Sequence, residues 1–294
     1  MLCSVERDEG LLIFDDTIQA KPHTDGNELI CWHGDHTENR SVKGINLLNC
    51  VYHIDDLTIP VAFELVRKPI IFSDPETGQI KRKSEVTKNE LLRSMLSTCQ
   101  HNQIKYRYIL ADSWFSAKEN LTFIRHRLDK HFIVALKANR TVALSKEDKL
   151  QGRFSRIDAL SWSEEEPLLG WIKGLDFPVL IHRQVFTNKD GSTGTLYLAC
   201  SDLDQQALGI ETIYQKRWRV EVFHKTLKSD AALAKSPTKR VRTQSNHIFV
   251  ALYAAFRVEC LRIKHHLKSH SLKTKLYVKA IRAAFEQLQK IKSA

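Results

Sequence analysis

Long hydrophobic runs are missing from this chain of 294 residues. No stretch approaches the roughly 18 apolar residues that a membrane-spanning helix needs, and the first ten residues are too rich in charge for a secretory leader. The chain is therefore expected in the cytoplasm, with no membrane partner. Cysteine is sparse and shows no pairing pattern. Cys3, Cys31, Cys50, Cys99, Cys200 and Cys260 form no C-x-x-C motif, which argues against a disulfide framework and suits reduced, buried thiols. Cys31, His33 and His36 lack a second pair of ligands at zinc spacing, so they read as loop residues. No internal repeat occurs. At 43% hydrophobic, the chain can bury a full core as one large domain or as a domain carrying an insertion.

Acidic residues are scarce at the C-terminal end. Residues 212–294 hold 19 of the 45 Lys and Arg but 4 of the 34 Asp and Glu. The net charge of +11 is thus concentrated in one segment, and the rest is mildly acidic. A basic helical end that carries Arg residues and Trp218 points to nucleic acid before membrane.

Taken in order, the chain alternates strands and helices. Residues 10–14 are a short apolar run that reads as a buried strand, with Asp15 and Asp16 at its tip. Residues 19–44 read as a long polar loop or short hairpin. Residues 45–54 and 57–66 form a hairpin about Asp55 and Asp56. A polar loop at 73–85, carrying Lys81, Arg82 and Lys83, leads to a helix capped by Thr87 and Glu90 and ending near Asn102. Residues 106–111 form a strand with Asp112 at its tip, and Ser116 and Glu119 suggest a second capping box for a helix over 117–128. A strand follows at 131–136. Residues 139–205 break the alternation with five glycines, the acidic run Glu164 to Glu166 and a hairpin turning at 188–191, and they read as a β-rich insertion. Helices are expected over 205–229, 245–264 and 272–291.

The helix over 205–229 carries an unusual face. At about 100° per residue, Tyr214, Arg217, Glu221 and Lys228 fall within about 60° of one another, opposite Ile213, Val220, Phe223 and Leu227. A lone carboxylate among cations and a phenol suits a phosphate site that binds metal. The element order is the layout of a ribonuclease-H-like α/β fold, a mixed sheet with helices on both faces. Reactive groups gather in such sheets at strand ends, where Asp16, Asp112 and Glu221 can converge. Three carboxylates with an open side hold two divalent cations about 3.5–4 Å apart for phosphodiester transfer. Hard oxygen ligands favour Mg²⁺, with Mn²⁺ as a substitute.

At these residues the chain resembles the DDE transposases of bacterial insertion sequences, and within them the insertion-sequence-4 group. That group is marked by Tyr, two residues, Arg, three residues, Glu, six residues and Lys, which here is Tyr214, Arg217, Glu221 and Lys228 without a gap. Residues 14–17 resemble the family's first Asp motif, in which Thr follows the catalytic Asp, so the role is carried to Asp16. Residues 111–115 resemble the second. The resemblance implies catalytic and metal-binding roles for Asp16, Asp112 and Glu221, and DNA contacts from Tyr214, Arg217, Trp218, Lys225 and Lys228. It also implies that Trp218, with Trp162 or Trp171, stacks on an extruded base, although packing suits the latter two better.

The expected organisation is a first catalytic part at 1–138, the insertion at 139–205, and the remaining catalytic part with basic helices at 206–294. The family's N-terminal DNA-recognition domain is expected to be absent. Double-stranded DNA and a second copy in a DNA-bound dimer are the expected partners, with the protein associated with the nucleoid when bound. The competing expectation is a catalytically silent DNA-binding remnant that interferes with full-length transposase.

Overall fold

The computed structural model describes residues 6–35, 40–163, 166–188, 190–236, 238–266 and 269–292. Cys3, His36, Glu164 and Glu165 lie outside the described residues, as does position 189 of the 188–191 turn.

Strand β1 (Leu11–Ala20) carries the two first-strand aspartates and pairs on both of its sides. On one side it pairs antiparallel with β3 (Arg40–Ile54), which in turn carries β2 (Cys31–Asp35) and β4 (Leu57–Leu65). A separate two-stranded hairpin, β5 (Ile70–Ser73) and β6 (Ile80–Lys83), leads to α1 (Lys88–His101). On the other side β1 pairs in parallel with β7 (Tyr108–Ala111). Beyond β7 come the short α2 (Lys118–Thr122) and β8 (His131–Leu136), which is parallel to β7.

The alternation of side chains along β1 explains the helices on both faces. Leu12 and Phe14 share a core with Leu92, Met95 and Leu96 of α1. Leu11 and Ile13 share the other core with Val220, Phe223 and Leu227. Five cysteines are buried free thiols, as their apolar surroundings suggest.

Residues 139–205 supply β9 (Thr141–Ala143), α3 (Lys146–Leu150), β10 (Ser155–Arg156), β11 (Leu168–Ile172), β12 (Val179–Thr187) and β13 (Thr193–Cys200). These strands run on in the same sheet, because β13 pairs antiparallel with β8 and places Cys200 opposite Ile133. The chain ends in α4 (Ala207–Gln215), α5 (Trp218–Ser229), α6 (Val241–Lys264) and α7 (Ser269–Lys292). The large mixed sheet with helices is consistent with the ribonuclease-H-like layout.

Four local expectations change. Asp15 and Asp16 are not at a strand tip, because the long β3 pairs with β1 as far as Ala20 while β7 pairs only with Leu11–Ile13. The carboxylates thus sit where one neighbouring strand has ended and the other continues. Part of the polar loop at 73–85 is the β5–β6 hairpin. Ser116 caps no helix; its hydroxyl donates to the Ser113 carbonyl, and Ala117 precedes α2 without a side-chain cap. The helix over 205–229 is two helices, since Arg217 N–H donates to Tyr214 O at 2.8 Å and Val220 N–H to Arg217 O at 3.1 Å, tightening one turn to i→i+3 bonding. The capping box of Thr87 and Glu90 forms as expected.

Candidate active site

The two first-strand aspartates face opposite ways. Asp15 lies on the α5 side of β1, paired in register with Asn49. Its Oδ1 accepts the Asp16 backbone N–H at 2.9 Å, and its Oδ2 is 3.4 Å from Arg217 Nη1. Burial pushes Asp15 up to about 7; Arg217 opposes this, and Asp112 and Asp16 add to it. Asp16 lies on the α1 side, where its Oδ2 accepts from Asn46 Nδ2 at 2.6 Å and from Lys88 Nζ at 2.7 Å.

Asp112 does stand at the tip of β7. Its carboxylate accepts Trp114 N–H at 3.0 Å and caps the 3₁₀ turn Ser113–Phe115. Burial raises its pKa, with Asp16 adding to the shift, while Trp114 N–H and Arg217 pull it down. A local bond to a helical N-terminus is ordinary for an Asp in this position. A second half-buried carboxylate nearby is not, because like charges in a partly desolvated place oppose each other's ionisation.

Glu221, in the first turn of α5, accepts Arg217 Nη2 at 2.8 Å. Arg217 therefore stands between Asp15 and Glu221. Although burial opposes it, the surrounding Tyr214, Asp15 and Glu221 hold the guanidinium firmly charged. Tyr214, at the end of α4, is buried; its hydroxyl is 3.5 Å from the Ala111 carbonyl, and burial pushes it up to about 12. The tightened turn thus separates Tyr214, which packs against the β7 end, from Glu221 beyond it. Trp218 is exposed with Lys225 Nζ 5.4 Å from its ring. Lys228 lies close enough to His224 to help depress its pKa.

Other residues join the site that the sequence pattern did not single out. His224 and Asn49 meet at 2.9 Å, and His224 is lowered to about 4, by burial first and then by Lys228. That keeps the imidazole neutral, able to accept from the Asn49 amide. Lys88 Nζ, besides binding Asp16, is 5.5 Å from the Trp114 ring, and Lys137 Nζ is 5.9 Å from it. Their long sequence separation hides Lys88 and Asn49 from any spacing argument. Trp114, two residues after Asp112, was within reach of one.

Among the described residues, no three His, Cys, Asp or Glu side chains stand close enough to share a metal ion. The donors nonetheless fit a hard cation. Asp15 and Asp112 are half-buried carboxylates, Asp112 adding to the upward shift of Asp15, and Asn49 Oδ1 on the Asp15 side is buried without a hydrogen bond among the described residues. Oxygen donors of this kind suit Mg²⁺ or Mn²⁺.

Residues 62–256 match the family described as the transposase DDE domain. The chain belongs to that family. The match takes in Asp112 and Glu221 and begins after β1 and β3, so Asp15 and Asp16 lie outside it. A comparison with curated proteins found no match. Family membership makes this a domain of DNA transposition and recombination, of the polynucleotidyl transferase and nuclease kind. Such proteins generally use divalent metal ions and have DNA as their partner. Among the described residues, no helix is long and apolar enough to cross a membrane.

Proposed function

We propose that this chain is a metal-dependent DNA strand transferase of the insertion-sequence-4 type, cutting and joining phosphodiesters at element ends. The observation that carries this reading is Arg217, bound at once to Asp15 and Glu221 beside Asp112. Proposed ligands are Asp112, Glu221 and the first-strand aspartate pair. The sequence resemblance favours Asp16 in that pair. Side-chain direction favours Asp15, which shares the α5 side with Glu221, whereas Asp16 is engaged by Lys88 and Asn46 on the other face.

Bound Mg²⁺ would polarise the phosphodiester and acidify the attacking water. The protein's own residues supply the rest. Arg217 and Lys228 offset phosphate charge, with Tyr214 holding the Arg217 turn against the end of β7. The exposed Trp218 and Lys225 meet DNA outside the carboxylates. Asp15, poised at about 7, holds or yields a proton near neutral pH, so ligand binding there is coupled to proton release. Hydrolysis frees a 3′-hydroxyl, whose attack on a second phosphodiester forms one such bond as it breaks another, so no nucleotide cofactor is required.

In organisation, residues 1–138 and 206–294 form the catalytic part on this reading, and 139–205 the inserted β-rich part. A DNA-bound homodimer acting at the nucleoid completes the proposal. The test is cleavage of labelled element-end DNA with and without Mg²⁺ by the wild type, Asp112→Asn and Glu221→Gln. Metal-dependent cleavage by the wild type alone is the expected result, and activity retained in Glu221→Gln would sink the assignment.

A further inference from the structure

Between the β2–β3 pair and the β5–β6 hairpin lies a cleft of about 620 Å³. Lys43, Lys68, Lys81 and Arg82 line it together with Trp32 and Ile80, and among the described residues no carboxylate does. Lys81 pairs with Asp74 just outside, which answers one of the four cations. Large apolar surface is exposed here, with Trp32 63% and Ile80 80% accessible.

The cations and the ring are held in one frame. Lys68 Nζ donates to the Trp32 carbonyl at 2.7 Å, and Arg82 Nη1 donates to the Lys68 carbonyl at 3.4 Å. The Lys68 wall of the cleft also lies toward Asp16. Burial lowers the pKa of His33, and Lys68 and Lys88 lower it further while Asp16 opposes them, so these groups lie within electrostatic reach of one another. Lys88 is itself bound to Asp16.

We propose that this cleft holds an unpaired DNA strand on the Asp16 side of the sheet, with phosphates on Lys43, Lys68 and Arg82 and a base stacked on Trp32. The proposal rests on the reading that the chain acts on DNA. Cationic walls around an exposed indole fit single strands better than duplex, because base faces are open for stacking only when unpaired. Strand cutting and joining supplies such unpaired ends. Lys81 and Arg82 of the basic run, which the carboxylate site leaves unused, thereby gain a role on the wall of the cleft.

The test uses the full chain and two fluorescent probes, a short oligothymidylate and a duplex of the same length. Binding is followed by anisotropy over about 50 to 200 mM salt. Trp32→Ala should weaken oligothymidylate binding by about 5- to 150-fold while leaving the duplex unchanged, and Trp32→Phe should recover most of the loss. The double variant Lys43→Ala/Arg82→Ala should flatten the salt slope for the single strand by about 1.4, at roughly 0.7 for each phosphate left without its cation. Equal losses on both probes, or none on the single strand, would overturn the cleft assignment. Metal-dependent cleavage by the wild type is read in parallel. If cleavage persists without Trp32-dependent binding, the cleft fails alone; if Trp32-dependent binding occurs without cleavage, the strand-transfer reading fails alone.

Discussion

Arg217 grips Asp15 and Glu221 with different nitrogens, Nη1 at 3.4 Å from Asp15 Oδ2 and Nη2 at 2.8 Å from Glu221 Oε1. One cation thus ties the first strand of the sheet to a helix near the end of the chain. It also occupies the place between two proposed metal ligands. On our reading, a divalent cation and this guanidinium compete to offset the same half-buried charge.

Removing the guanidinium exposes that competition. Arg217→Ala leaves Asp15 and Glu221 uncompensated and should destabilise the protein by about 1–3 kcal/mol in urea melts without metal. Mg²⁺ should restore more stability to this variant than it adds to the wild type. Arg217→Lys should fall between them, since an ammonium cannot span both carboxylates as the planar fork does. Identical responses to Mg²⁺ in all three proteins would refute a shared site.

The two first-strand aspartates can be separated by mutation. Asp15→Asn should lower metal-dependent cleavage by at least roughly 10²–10³-fold, the scale of losing a group that stabilises transition-state charge. Asp16→Asn should keep more activity, its main partners being Lys88 and Asn46. The reverse order in a single-turnover cleavage assay would assign the role to Asp16, as the sequence resemblance suggests.

Acid should weaken the fold through its buried histidines. His53 and His224 are buried and held neutral, each lowered to about 4, with burial as the main cause. Unfolded histidine titrates near 6.5, so between about 4 and 6.5 the unfolded chain binds more protons. The stability of the neutral pair is therefore complete above about 6.5 and lost as pH falls toward 4, by up to ~3 kcal/mol per histidine. Urea midpoints at several pH values check this, and His53→Gln should flatten the profile.

Asp15 behaves with the opposite sign. Its folded pKa of about 7 lies above the unfolded value, so its ionisation costs stability as pH rises from about 4 to 7. Stabilisation by Mg²⁺ should accordingly grow over this interval. A calorimetric shift with Mg²⁺ that is the same at pH 5 and pH 8, within about a degree, would contradict it.

Gly44 tests how tightly the site's strands are packed. A Cβ there would lie 2.3 Å from the Gln19 backbone carbonyl, and backbone cannot swing aside. Gly44→Ala should cost about 1–3 kcal/mol in thermal or urea unfolding and displace β1 beyond Asp16.

Local rules made much of the fold legible. The Thr87–Glu90 capping box, the 131–136 strand and the hairpin about Asp55 and Asp56 appear where near-neighbour chemistry puts them. Asp112 sits at its strand tip because a short apolar run and a turn residue decide that locally. The extent of β1 did not follow from its own residues, since its last polar positions are kept extended by β3.

The proposed carboxylates and the Tyr214, Arg217, Glu221 and Lys228 pattern could be picked out as candidates from the amino-acid string, because a motif is a matter of spacing along the chain. Which carboxylate faces which was settled by packing. The side-chain period of β1 puts Asp15 and Asp16 on opposite faces, and the seating of α5 on one face and α1 on the other gives them different cations, Arg217 and Lys88. Those partners come from distant parts of the chain, and no local pattern encodes such a distance.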